Sequence, residues 1–395
     1  MKKIISALTI SALALGSIFA DVSLEYTQKG YISSNENNTS KKLDLNGYSE
    51  KITGDVAFTL SNENAGVAFV VTPYYKDEGR TGNLQDDTDF FDQYYGWVNF
   101  FGGKMKLQSG VWKTRSVNRL NQDAGVWEDN EYEMCHYGIV GSKIGQDITR
   151  LASINGKKAL STALTFHTDS FYATGAIITN NFKTSGTTST KSGFALETGL
   201  NLDENTKVQA ILKTPEDQKI AFGLFLDKSK ITIKDRTFDI VAGVTIASDF
   251  GTAGAKATNP EDTSSSVTLN KGFEAAVDLR LRYELSDSVA ITSMNNVSYL
   301  GTKTASNGEN GVFNVWDMVS VALKATDTIK VQVTGEWVYQ DLSVGHNGYF
   351  SVTPGVVVTP MKDISITSGL IIRTYGWSKP TDTSFAIPFI LHVAL

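Results

Sequence analysis

Residues 272–285 read GFEAAVDLRLRYEL. Phe273, Ala275, Val277, Leu279, Leu281, Tyr283 and Leu285 share one parity, and Glu274, Asp278, Arg280, Arg282 and Glu284 share the other. Successive side chains of a β-strand point to opposite faces. The stretch therefore predicts a strand with one oily face and one charged face. The same alternation returns in TIKVQVTGEWVYQ (328–340), DISITSGLIIRT (363–374), KIAFGLFLD (219–227) and RTFDIVAGVTIAS (236–248). Less regular strands are expected near 22–31, 52–61, 65–75, 160–168, 171–180, 193–202 and 205–213, and the segment 90–101 is aromatic on both parities.

The breaks between these strands are of two kinds. Tight ones occur at SNENAG (61–66), FFGGKM (100–105), HTDS (167–170), LDENTK (202–207), LSDSV (285–289), ATDTI (325–329) and PMKDI (360–364). Gly, Asn, Asp and Ser suit such turns because they tolerate tight or positive-φ backbone. Longer polar stretches alternate with them: KDEGRTGNLQDDTD (76–89), NFKTSGTTSTKSG (181–193), GTAGAKATNPEDTSSSVTLNKG (251–272) and GTKTASNGENG (301–311). Tight turns at one end and long loops at the other imply up-and-down hairpins with unlike rims. A soluble β-sandwich or solenoid also alternates, but so many hairpins in one meander favour a barrel.

An oily outer face belongs against lipid. There every backbone N–H and C=O must be paired, so an open sheet edge is not viable and the sheet must close. The expectation is an all-β fold: a closed antiparallel transmembrane up-and-down β-barrel of about 16–18 strands, with short periplasmic turns and long extracellular loops. The count turns on hairpins around 114–160 and 229–236. No segment carries the roughly 18 consecutive apolar residues of a transmembrane helix.

The chain has 395 residues and a formal net charge of −6, a mildly acidic balance that argues against nucleic-acid binding. Its first twenty residues, MKKIISALTISALALGSIFA, place Lys2 and Lys3 before an apolar run and end on the small Ala20. This reads as a secretory signal peptide over 1–20, cleaved near Ala20, with the barrel over 21–395. The single cysteine, Cys135, leaves no partner for an internal disulfide. Aromatic pairs such as Phe100–Phe101, Trp337–Tyr339 and Tyr349–Phe350 fall near expected strand ends, where amphipathic rings meet the membrane–water boundary.

The signal peptide, the alternating strands and the terminal strand SFAIPFILHVAL (384–395) together resemble Gram-negative and spirochaete-type outer-membrane porins. The resemblance implies a location in the bacterial outer membrane, contact with its lipid, and recognition of the last strand by the barrel-assembly machinery. It also implies a homotrimer and the passive diffusion of small hydrophilic solutes and ions. In such porins the last strand ends on an aromatic residue, whereas this one ends on Leu395. Pro388 within it cannot donate to a ladder, so a bulge or an unpaired position is expected there.

The stretch 114–159 lacks alternation and falls third among the long loops. In the porins resembled, that loop often folds into the lumen. Arg115, Arg119, Glu128, Asp129, Glu131 and Glu133 would then form a pore constriction, since opposed charges select ions by sign and size. The alternative is an exposed loop with solvated charges. Strand parity assigns Lys104, Lys106, Asp278, Arg280, Arg282, Lys330, Glu336 and Arg373 to the lumen lining. The four histidines show no metal-ligand spacing, and no nucleophile elbow, phosphate loop or zinc-protease motif occurs. No catalytic residue, metal or cofactor is therefore expected. Two competing functions share the fold: a plugged barrel serving as a surface adhesin or antigen, and a substrate-specific outer-membrane transporter.

Overall fold

The computed structural model of the chain describes residues 19–37, 42–71, 91–112, 148, 151, 153–154, 157–184, 187–214, 220–248, 255–258, 266–269, 272–302, 311–342, 345–375 and 382–394. They form one antiparallel meander of 18 strands. The first half runs β1 (Phe19–Asn37), β2 (Lys42–Ser61), β3 (Ala65–Val71), β4 (Phe91–Phe100), β5 (Met105–Val111), β6 (Leu160–His167), β7 (Phe171–Thr184), β8 (Thr187–Asp203) and β9 (Thr206–Thr214). The second runs β10 (Ile220–Ile233), β11 (Arg236–Ser248), β12 (Gly272–Glu284), β13 (Val289–Thr302), β14 (Gly311–Lys324), β15 (Ile329–Leu342), β16 (Gly345–Met361), β17 (Ile364–Gly369 continued by Ile371–Tyr375) and β18 (Asp382–Ala394). Each strand pairs with its sequence neighbours, and β18 pairs with β1 from Glu25↔Ala394 to Asn35↔Ser384. The ladder thus closes on itself and leaves no edge for lipid to meet.

The two rims differ as expected. At one end the connections are the short turns 62–64, 101–104, 168–170, 204–205, 234–235, 285–288, 325–328 and 362–363; at the other lie the long breaks 72–90, 112–159 and 249–271. Each tight break read from the sequence is a turn. One further turn, Lys234–Asp235, has both central residues at positive φ (49° and 64°), the backbone a two-residue hairpin needs. It lacks the glycine or asparagine that would have announced it.

One loop assignment is corrected. Residues 181–193 are almost wholly ladder, paired from Asn180↔Lys191 to Thr184↔Thr187. Their threonines are β-branched and prefer extended backbone, so a polar composition here marks strands running on toward the loop rim rather than a loop. The stretch 251–272 likewise holds a small hairpin, Ala255–Thr258 with Ser266–Leu269.

Burial runs opposite to that of a soluble protein. Along β12, Val277 is 52% exposed while its neighbour Asp278 is fully buried. Phe222, Leu224, Val244, Ile246, Val333, Ile387 and Phe389 face out, whereas Glu197, Gln209, Arg280, Asn296, Gln332 and Glu336 face in and are buried. Outward rings gather at both rims, with Phe100, Phe166 and Phe171 toward the turns and Tyr299, Phe313 and Phe350 toward the loops.

The expected irregularity at Pro388 is present on one side only. Pairing between β18 and β1 is regular through Tyr31↔Pro388, which corrects the expectation of a broken closure. On the other side the ladder stops at Ser368↔Phe389 and resumes at Ile371↔Ala386. Leu370 N–H donates to Pro354 O at 3.0 Å, so Leu370 turns toward β16 and Gly369 turns toward Pro388. Proline has no N–H to return to Gly369, and the strand is interrupted there.

Candidate functional site

The inner wall is the only face on which polar chemistry accumulates among the described strands, and two arcs of it differ. From β12 to β17 it is polar. Asn296 Nδ2 donates to Asp278 Oδ1 at 2.7 Å, and Trp316 Nε1 donates to Glu336 Oε1 at 2.9 Å. Gln332 Nε2 donates to Ser320 Oγ at 2.5 Å, and the Ser320 and Thr334 hydroxyls lie 3.1 Å apart. Nearer the turns, Arg282 Nη1 meets Glu284 Oε1 at 2.9 Å. These two side chains, with Asp287, Lys324, Asp327 and Lys330, border an open pocket of about 390 Å³ at the turn-side mouth.

From β6 to β11 small and aromatic residues are interspersed with buried polar ones such as Glu197, Gln209, Lys213 and Thr245. Ala163, Ala176, Ala195, Lys213, Ala221 and Ala247 form one continuous row of directly opposed residues, and all are buried. The Phe225 ring lies flat over Gly223 and Gly243, where a Cβ would sit 2.7 and 2.6 Å from ring carbons. Tyr172 covers Gly199 in the same way and donates its hydroxyl to Glu197, while Gln209 Nε2 donates to it at 2.6 Å. Between this arc and the closing strands, Tyr95 lies 5.8 Å from Trp97 and 6.3 Å from Trp112, with Lys106 Nζ 5.6 Å above the Trp97 ring. Parity reasoning, tuned to polar residues, passed over these inward alanines and rings. Their signal was the alanine recurring at inward positions of successive strands.

The described parts of the third long break also lie inside. Gly110, at φ 133°, turns the chain where a Cβ would collide with Tyr94 O at 2.2 Å, and Val111 and Trp112 after it are both buried. Ile148 is fully buried, its Cδ1 3.2 Å from where a Gly223 Cβ would stand. Leu151 packs on the cluster of Trp112, Ala159, Ala163, Ala176, Ile178 and Ala195. Arg115, Arg119, Glu128, Asp129, Glu131 and Glu133 fall outside the described residues.

Of the residues assigned to the lining, Asp278, Arg280 and Glu336 are buried on the inner face, and Lys106, Arg282, Lys330 and Arg373 occupy inward positions with partial exposure. Lys104 does not: it sits in the turn 101–104, because β4 ends at Phe100 and the parity of the flanking strands does not extend through a turn.

No family model and no curated protein matches the sequence. Solved structures do. Against OccK10 (OpdN) of Pseudomonas aeruginosa the TM-score is 0.58 at 9% identity, covering 95% of this chain and 99% of that one. The fold is that of an outer-membrane porin barrel. OpdK of the same organism, solved with vanillate, gives a TM-score of 0.56 at 8% identity, covering 95% and 98% of the two chains. A BenF-like porin from Pseudomonas fluorescens Pf-5 gives 0.52 at 8%, covering 95% and 99%. Identity this low carries the porin architecture and leaves the lining of each barrel its own.

Proposed function

We propose that the protein is an outer-membrane porin that lets small hydrophilic solutes and ions diffuse passively through its lumen. The observation that carries this reading is the inverted wall of a closed 18-strand barrel: apolar side chains outside, hydrogen-bonded polar and charged ones inside. Lipid requires the first, and a polar passage requires the second. The burial of Asp278, Arg280 and Asn296 favours a restricted passage over a wide one. Burial of Trp112 and Ile148 and the packing of half-buried Leu151 against the inner wall support the reading in which 114–159 folds inward and its charges narrow the channel. The signal peptide, recognition of β18 by the assembly machinery and the homotrimer belong to the same proposal. So does the absence of enzymatic activity.

Planar-bilayer recording of the refolded protein tests it. Ohmic single-channel steps are expected. A protein that inserts yet never conducts overturns the porin reading in favour of the plugged surface barrel. Saturation of the current by one solute class would select the substrate-specific transporter.

A further inference from the structure

The open pocket of about 390 Å³ at the turn-side mouth is lined from β12 to β16 and from the turns 285–288 and 325–328. Three cations border it, Arg282, Lys324 and Lys330, and three acids, Glu284, Asp287 and Asp327. Every acid is already offset. Glu284 Oε1 lies 2.9 Å from Arg282 Nη1, and Asp327 Oδ1 lies 2.7 Å from Lys324 Nζ. Asp287 Oδ1 lies 2.9 Å from Nη1 of Arg236, which stands on β11 outside the pocket lining. Among the described residues no ion pair reaches Lys330. Lys330 shares its parity with the buried, inward Gln332, Thr334 and Glu336, so its side chain leaves the wall toward the lumen. Lys324 is directly opposite it across β14 and β15. Like charges so placed destabilise a ladder, and an anion between them reverses the effect.

The hydroxyls of the same pocket are left as donors. A hydroxyl has one donor hydrogen and two acceptor lone pairs. Ser286 Oγ accepts from Ser288 N–H at 3.3 Å and from Val289 N–H at 3.0 Å, so both lone pairs are used and the hydrogen remains. Thr326 Oγ1 accepts from Thr328 N–H at 3.2 Å. The Thr326 and Thr328 hydroxyls lie 3.3 Å apart, and whichever donates to the other leaves one hydrogen between them to give. A cation finds only offset acids here. An ion that solely accepts hydrogen bonds meets an uncompensated ammonium and hydroxyl hydrogens arriving from two turns and a strand. A tetrahedral oxyanion presents acceptors in all those directions, and a planar carboxylate does not. We propose that this pocket binds phosphate, as the free ion or as the phosphoryl group of a small ester, between Lys330 and Lys324 with Ser286, Thr326 and Thr328 as hydroxyl donors. The site stands at the mouth of the barrel, and its occupancy does not require the lumen to conduct.

Broadening of the phosphorus NMR resonance of inorganic phosphate by the folded protein in detergent tests it. The wild type should broaden the line saturably, and chloride at matched ionic strength should not compete. Lys330→Gln should weaken binding about tenfold, the loss of one charge-assisted contact. Lys330→Arg keeps the charge and should retain binding, and Lys104→Gln, at another turn, should leave it unchanged. Glycerol 3-phosphate that displaces the ion supports a pocket open to phosphoryl esters; an ester that fails to displace it supports a site for the free ion. Heat-modifiable gel mobility verifies that each variant forms the barrel. Broadening that never saturates, chloride or acetate that competes as well as phosphate, or a Lys330→Gln variant that binds equally well overturns the proposal.

Discussion

Val277 and Asp278 are adjacent, yet one is 52% exposed and the other fully buried. What separates them is parity, and that makes single substitutions on the two faces unequal. Val277→Arg puts a guanidinium against lipid and should cost about 2–4 kcal/mol at mid-span, read as a lowered unfolding free energy in urea titrations of vesicle-embedded protein. Asp327, in the turn 325–328, shows the ordinary aqueous case: Lys324 Nζ lies 2.7 Å from its Oδ1, and that hydrogen bond and charge hold its carboxyl below the usual range. A depressed carboxyl stabilises the fold above its unfolded pKa and loses that contribution as pH falls through the folded one. Asp327→Asn should therefore lower the unfolding midpoint slightly at neutral pH, with the difference from wild type vanishing on acidification below the normal aspartate range. A difference that persisted in acid would contradict the pairing. The pair is exposed, so the effect is small and falls further in salt.

At the scale of elements, β17 is held between two prolines. Pro354 and Pro388 flank Leu370 and Gly369, and the strand parts there. Pro388→Ala would return one donor to Gly369 O and should join Ile364–Gly369 to Ile371–Tyr375. The expected gain is about 0.5–1.5 kcal/mol, the net worth of one hydrogen bond, accompanied by slower amide exchange at Gly369 and Ile371. Unchanged exchange would show that the break has another cause. The outward sets on β10, β11, β12 and β15 were legible because alternation is a local property of extended chain. The turn at Lys234–Asp235 was not, since Lys and Asp at positive φ are set by the hairpin they close. The threonine-rich 181–193 was misread because polar composition does not distinguish a loop from a ladder that continues past the membrane.

For the whole molecule, stability hangs on closure. Deleting Asp382–Leu395 removes the partner of both β1 and β17 and leaves two unpaired edges at membrane depth, each bare N–H or C=O costing several kcal/mol in hydrocarbon. The truncated chain should lose the compact, heat-modifiable form on gels and fail to resist proteolysis in vesicles; retention of either would contradict closure through β18. Closure also arranges the lining. The row from Ala163 to Ala247 and the hydrogen-bonded pairs around Asp278 and Glu336 lie on different strands of one ring, and the alanine-rich side carries its own hydrogen-bonded group at Tyr172, Glu197 and Gln209.

The sequence by itself determined the strand period, the sign of each face, the unlike rims and so the barrel, because each of these is written in side chains one or two residues apart. It also placed Asp278, Arg280 and Glu336 on the inner face. Only the tertiary structure decided which strands face one another across the ring, that Pro388 disturbs β17 and leaves β1 regular, that Ile148 settles against Gly223, and that Arg236 meets Asp287. Those outcomes depend on register between segments far apart in the chain. Register is fixed by the closed ladder as a whole, and no local stretch of residues carries it.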